Sequence, residues 1–147
     1  MPKSKFDINK FQIEDFKILK GQIDTSDDFI KDSIVGFESE VDIAIGFNLD
    51  SQLAKCDFTI GIATDSGNEI ESKAKFDFVF IYKIDNISEL TSPKDDALEV
   101  DSLLLDSIAS ISYSTARGVL ITRLQGTVFQ NFILQIADAK QLLKNQS

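Results

Sequence analysis

Apolar residues recur at every second position through the first half of this chain and at helical spacing through the second. That switch of period restricts the fold more than any other feature. From Phe37 to Phe47 the odd positions hold Phe37, Ser39, Val41, Ile43, Ile45 and Phe47, set against Glu38, Glu40, Asp42 and Asn48. Cys56, Phe58, Ile60 and Ile62 repeat the pattern, and a turn at Thr64-Asp65-Ser66-Gly67-Asn68 follows. Phe76, Phe78, Phe80 and Tyr82 then share one face of a strand, with Val79 and Ile81 on the other. Such alternation marks strands with one buried face. The stretch from Phe6 to Leu19 is also strand-like, but its phase slips between Ile13 and Phe16, as a β-bulge would cause. Four antiparallel strands are expected, with a loop near Gln22–Ser33 joining the first to the second.

Beyond these strands, Ser92-Pro93 followed by Lys94-Asp95-Asp96 reads as a helix start, with proline in the first turn and acids against the dipole. A firmer helix is expected from Val100 to Leu124. Leu104, Ile108, Ile111, Thr115 and Val119 form one stripe on it, and Tyr113, Ala116, Leu120 and Leu124 a second. A surface helix needs one stripe; two imply packing on the sheet and on something else. Small residues such as Ser112, Ser114, Ala116 and Gly118 permit close approach. Gly118 costs about 0.5–1 kcal/mol against alanine, which implies a packing role or a kink. Gly126 ends the helix. Val128–Ile136 reads as apolar and extended, and Ala137–Lys144 as a short closing helix.

Between Ser107 and Ala137 there is no acidic residue, although the chain carries 24 in all. A lone carboxylate is costly to bury, so this window points to a covered surface, within one subunit or between subunits.

At 147 residues the chain suits one domain, expected to span 1–147 with residues 1–5 and 145–147 disordered. No apolar run reaches the roughly 20 residues that span a bilayer, so no stable membrane insertion is expected. The start, MPKSKFDINKF, lacks the apolar segment of a secretory signal. Cys56 is the only cysteine, which suits a reducing cytoplasm. The chain has no histidine, so His-based catalysis and His metal ligation are excluded. Neither Ser112 nor Ser114 has a histidine to activate it, and no residue set supports an enzymatic, metal-binding or cofactor-binding reading. A net charge of −9 argues against nucleic-acid binding, which needs clustered Lys and Arg.

Several short segments resemble the SecB family of export chaperones. Thr115-Ala116-Arg117, then Gly126-Thr127 and the apolar run after it, are similar to the family's Tyr-Ala-Arg, Gly-Thr-Phe and a run ending in Pro-Val-Asn-Phe. Upstream, Phe6-Asp7-Ile8 and Ile13-Glu14-Asp15 resemble its first strand, and Glu40-Val41 with Ile43 and Ile45 its second. Phe37 falls where the family has an aromatic in its crossover loop. The resemblance extends from Phe6 to Leu143, and the order of four strands then a long helix supports it.

This resemblance implies an α+β fold, a four-stranded antiparallel sheet with a long helix and a short C-terminal helix packed on one face. It also implies a homotetramer, a dimer of dimers, that holds non-native polypeptides in apolar grooves without ATP and passes them to the translocase motor SecA. The groove is then expected at Phe37, Val41, Phe129, Phe132, Leu142 and Leu143. The Phe76/Phe78/Phe80/Tyr82 row is expected in the core beneath the helices. Ile108, Ile111, Thr115 and Val119 are candidates for the oligomer interface. Arg117 joins them by pairing with a neighbour's acid; the alternative is a bridge within the chain.

Three departures qualify the resemblance. Gln135 replaces the family's proline, and Thr91–Val100 is longer than its counterpart. SecA docks on acids of the exposed sheet face; Asp15 retains one such position, but Leu19, Lys73 and Lys75 fall where acidic or apolar docking residues would lie. Three functions remain open: a general holdase for export, a dedicated chaperone for one client such as an antitoxin, and a carrier of a small apolar ligand.

Overall fold

A computed structural model of the chain describes residues 4–144. Strands β1 (Phe11–Asp24), β2 (Gly36–Asn48), β3 (Leu53–Asp65) and β4 (Lys73–Ile84) form one antiparallel sheet in the order β1-β4-β3-β2. After it come a one-turn helix α1 (Ile87–Leu90), a hairpin of β5 (Thr91–Lys94) and β6 (Ala97–Val100), the long helix α2 (Ser102–Arg123) and the short helix α3 (Ala139–Lys144). The expected α+β fold, with four antiparallel strands, a long helix and a short C-terminal one, is what the chain adopts.

Alternation decides which face of the sheet is covered. Cys56, Phe58, Ile60 and Ile62 of β3 lie in register with Phe80, Phe78, Phe76 and Ala74 of β4, and all are buried. Against them α2 buries Leu104, Ile108, Ala109, Ser112, Tyr113, Ala116 and Leu120. Each large apolar side chain removed from water contributes about 1.5–3 kcal/mol. The Phe76–Tyr82 row is therefore core, as its period implies. One polar pair crosses this core: the hydroxyls of Tyr82 and Ser112 lie 2.6 Å apart and satisfy each other.

The first strand differs from its expected bounds. It begins at Phe11, after a 3-10 turn at Ile8–Lys10, and runs on to Asp24. The register against β4 shifts between Ile13 and Asp15, where the sequence phase slips, and again between Ile18 and Lys20. The second shift precedes Gly21, where a Cβ would come within 3.1 Å of the Phe76 ring. Phe6 packs edge-on against Phe11 instead of extending the strand. Ser4 and Lys5, expected to be disordered, are tied down. Ser4 Oγ donates to the Asp101 carboxylate at 2.8 Å, and the Lys5 carbonyl accepts from Asn86 Nδ2. Residues 1–3 and 145–147, the rest of that expectation, lie outside the described residues.

Two expectations in the second half are corrected. Ser92-Pro93 does not start a helix: it lies in β5, with Pro93 opposite Leu98 and the turn made by Asp95 at φ 54°. Asp tolerates that left-handed conformation, so the acids serve the turn instead of a helix dipole. The helix start lies at Asp101, whose carboxylate accepts from Leu103 N and Leu104 N, an N-cap worth about 1 kcal/mol. Val128–Ile136 is not an extended strand either. Residues 124–131 form successive turns, with Thr127 Oγ1 accepting from Phe129 N and donating to the Leu124 carbonyl. Residues 132–138 are irregular and join no sheet. Gly126, at φ 77°, lies just past the helix end as expected.

Candidate functional site

The cleft that gathers most of the predicted binding residues lies where the inner face of β2 meets residues 131–135. It encloses about 500 Å3 and is lined by Phe37, Ser39, Val41 and Ile43 from β2, Tyr113 from α2, residues 131–135, and Leu142 from α3. Phe37, Val41, Phe132 and Leu142 thus converge from three separate parts of the chain. Phe129 does not line this surface. It is fully buried, and its ring lies 5.9 Å from that of Phe37, so it is a pedestal under the groove. Phe132 meets the other side of Phe37 edge-on at 5.8 Å. Leu143 is half-buried and is not among the lining residues.

Local bonding explains why the outer wall stands where it does. The Phe132 amide donates to the Phe129 carbonyl at 2.9 Å, closing the last turn. Three residues on, the Gln135 carbonyl accepts from the Tyr113 hydroxyl, which moors the irregular segment to α2. Burial raises the Tyr113 phenol above its ordinary range, opposed by the nearby Arg117 charge, so it stays a neutral donor. Gln135 contributes its carbonyl here, a role that the proline of the pattern it resembles would also allow. Tyr113, Ser39 and Ile133 are groove residues that the sequence reading missed. Ser39 shares the odd parity of Phe37 and Val41, so the signal for it was present. Ile133, 62% exposed, carried no such signal.

The crossover loop, residues 25–35, leads into β2, whose Phe37 lines the groove. Asn68, in the β3–β4 turn, clamps that loop. Its Oδ1 accepts from Ile30 N at 3.1 Å, and its Nδ2 donates to the Ile30 carbonyl and to Ser33 Oγ. Glu71 in turn accepts from Ser66, Gly67 and Thr64, and these bonds, the Ser66 hydroxyl first, hold its carboxyl below the ordinary range. Ile30, Val35 and Ile70 remain exposed around this clasp.

The helix face away from the groove borders a second cleft of about 500 Å3, lined by Phe16, Ile18, Ser114, Thr115, Gly118, Val119, Thr122 and Arg123. Thr115 and Val119 therefore sit on accessible surface, and Ile111 is half-buried beside them. Ile108 is corrected: it is completely buried in the chain's own core, because its stripe turns inward there, and it leaves no surface for a neighbour. Gly118 packs on nothing within the chain, since a Cβ there would meet no atom within 4 Å. Arg117 forms no ion pair among the described residues, so the intrachain bridge is absent.

The opposite face of the sheet holds a trough of about 580 Å3 over Gly61 and Ala63, with Lys73 and Lys75 on one bank and Glu38 and Glu40 on the other. Asp15 is engaged by Lys17 at 3.5 Å, and Leu19 is largely exposed. Cys56 is buried, and burial pushes its thiol up to about 11, so it behaves as an inert apolar residue. No helix among the described residues is long and apolar enough to cross a membrane.

No protein-family model and no curated protein matches this sequence. Solved structures do. The SecB-like chaperone Rv1957 of Mycobacterium tuberculosis, in complex with a ChAD peptide from the antitoxin HigA1, superimposes with a TM-score of 0.62. The match covers 89% of this chain and 93% of that one, at 12% sequence identity. The fold is SecB-like.

Proposed function

We propose that this chain is an ATP-independent holdase that binds non-native polypeptide in the groove between β2 and residues 131–135. The convergence of Phe37, Val41, Phe132 and Leu142 on one open cleft carries this reading. Aromatic and branched side chains there offer contact area at little conformational cost, which suits clients of many sequences. The core between β3, β4 and α2 is filled by buried side chains, so a carrier of small apolar ligands has no enclosed cavity there. The test is light scattering from a chemically denatured client diluted with and without this protein. Suppression at stoichiometric amounts supports the holdase; unchanged aggregation overturns it.

A narrower form of the same function has its own support: a dedicated chaperone for one client, such as an antitoxin. The similar M. tuberculosis chaperone is bound to an antitoxin peptide. In addition, Lys73 and Lys75 on the exposed sheet face and the engagement of Asp15 by Lys17 disfavour an acid-based SecA contact. Tight SecA binding would instead favour general export in the cytoplasm. The assembly that accompanies this function is a homotetramer formed across the α2 face bearing Ile111, Thr115, Arg117 and Val119. The unfilled space at Gly118 is the observation behind that choice.

A further inference from the structure

The outer face of the sheet, away from α2, carries a hollow that plays no part in the groove. Pairing there is in register across three strands: Glu38 stands opposite Ala63 and Ala63 opposite Lys73, then Glu40 opposite Gly61 and Gly61 opposite Lys75. Residues paired in this way share one face. The result is a trough of about 580 Å3 with a floor of small residues, a basic bank on β4 and an acidic bank on β2. All four charged residues are exposed and form no ion pair among the described residues. Asp24, beside Lys73 on β1, instead accepts from Gln22 Nε2 at 2.9 Å.

Gly61 separates this hollow from an accident of packing. It keeps unbroken register with both neighbours, so it makes no bulge, and its φ is not left-handed. A Cβ there would meet no atom within 4 Å, so nothing in the chain itself requires glycine. Glycine inside a strand costs stability against alanine, and without a bulge or bend to explain it, it marks the close approach of another backbone.

We propose that the trough receives one helix of a folded partner protein, with acids along one flank, bases along the other and small residues between. The dimensions agree. The banks lie two strand spacings apart, about 10 Å, and an α-helix is about 10 Å wide. Lys73 and Lys75 are about 7 Å apart along β4, close to the roughly 6 Å between i and i+4 on a helix. Partner carboxylates at that spacing meet the two lysines, and partner bases meet Glu38 and Glu40. A second copy of the trough does not fit, because two hollows face to face leave their space unfilled.

The probe is a fluorescent, side-chain-stapled helical peptide with alanine along its centre, Glu at i and i+4 on one flank and Lys at i and i+4 on the other. Two controls carry Lys on both flanks or Glu on both. The mixed peptide should bind at least about tenfold more tightly than either control, since each control sets like charges against one bank. Tighter binding of the all-lysine control would make the face a general acidic patch and overturn the proposal. Gly61→Leu projects into open space, so it should keep the melting temperature of the native chain while weakening the mixed peptide about tenfold or more. Undiminished binding to that variant refutes the assigned floor. Lys73→Glu with Lys75→Glu should reverse the order, so that the all-lysine peptide binds best; an unchanged order refutes the assigned banks. A denatured client held in the groove should leave the mixed peptide's affinity unaltered. Competition between the two would place the peptide in the groove, which refutes this inference and leaves the holdase standing.

Discussion

The Tyr113 hydroxyl donates to the Gln135 carbonyl oxygen, and this bond ties the outer wall of the groove to the long helix. The segment it holds has no sheet to support it, so the wall position depends on few contacts. Tyr113→Phe keeps the ring and removes the donor. We expect a stability loss of about 1 kcal/mol by chemical denaturation, faster amide exchange across residues 132–138, and weaker client binding. Unchanged exchange in that segment would show that packing of Phe132 and Leu134 is sufficient.

Ile133 separates binding from folding, because it lines the groove yet is 62% exposed. Ile133→Asp should therefore change stability by no more than about 0.5 kcal/mol. It should nevertheless abolish suppression of client aggregation, since a carboxylate in the groove is disfavoured against apolar ligand. Light scattering beside a thermal melt checks both halves. Full activity of this variant would move the binding surface away from the groove.

What the sequence discloses depends on whether a residue's environment is local. Phe37, Val41 and Ile43 are legible as one face because alternation is a property of neighbours along the strand. The β5–β6 hairpin is not: four residues a side are too few to show a period, and Pro93 with Asp95 and Asp96 mimics a helix start. Only the cap at Asp101 distinguishes the two. Phe129 and Phe132 are equivalent by composition, and the turns built by Thr127 decide that the first lies beneath Phe37 and the second beside it. Ile108 and Thr115 share a stripe in the sequence, yet Ile108 is fully buried in the core while Thr115 lines the open cleft beside Phe16 and Ile18. Which part of a stripe is covered depends on tertiary packing that the stripe does not contain.

The Asn68 side-chain amide holds the crossover loop at Ile30 and Ser33. Asn68→Ala should leave the sheet intact and cost about 1 kcal/mol. The expected signature is local: exchange of the Ile30 amide accelerates, and proteolysis within residues 25–35 increases. Were cleavage unchanged, the Val35 amide bond to the Asp65 carbonyl would be the sufficient tether.

The clasp should also respond to acid. Glu71 has its pKa lowered from the ordinary value of 4.5 by the bonds it accepts, led by the Ser66 hydroxyl. A carboxyl depressed in the folded state adds stability that is complete above its unfolded value and is lost as pH falls through the folded one. The native chain and Glu71→Gln should therefore differ most above pH 4.5 and converge below it. Amide exchange at Ser66 and Gly67 over that range is the measurement. A constant difference down to strong acid would assign the effect to packing instead of charge.

Val119 lines the cleft beside Gly118, on a helix face left uncovered where the chain's own packing ends. In an isolated protomer a carboxylate there can reach water, so Val119→Glu should fold with a loss within about 1 kcal/mol. Buried between two helices, the same charge loses its water, and even with Arg123 one turn on as a partner its desolvation opposes association of subunits. Size-exclusion chromatography with light scattering should then show the proposed tetramer of the native chain reduced to smaller species, with unchanged far-ultraviolet circular dichroism. Gly118→Ala is the control. It fills space that is empty within the protomer and should raise helix stability by about 0.5–1 kcal/mol, while crowding any neighbour that approaches closely. An intact tetramer with Val119→Glu would place the contact elsewhere, and a monomeric native protein would refute the assembly itself.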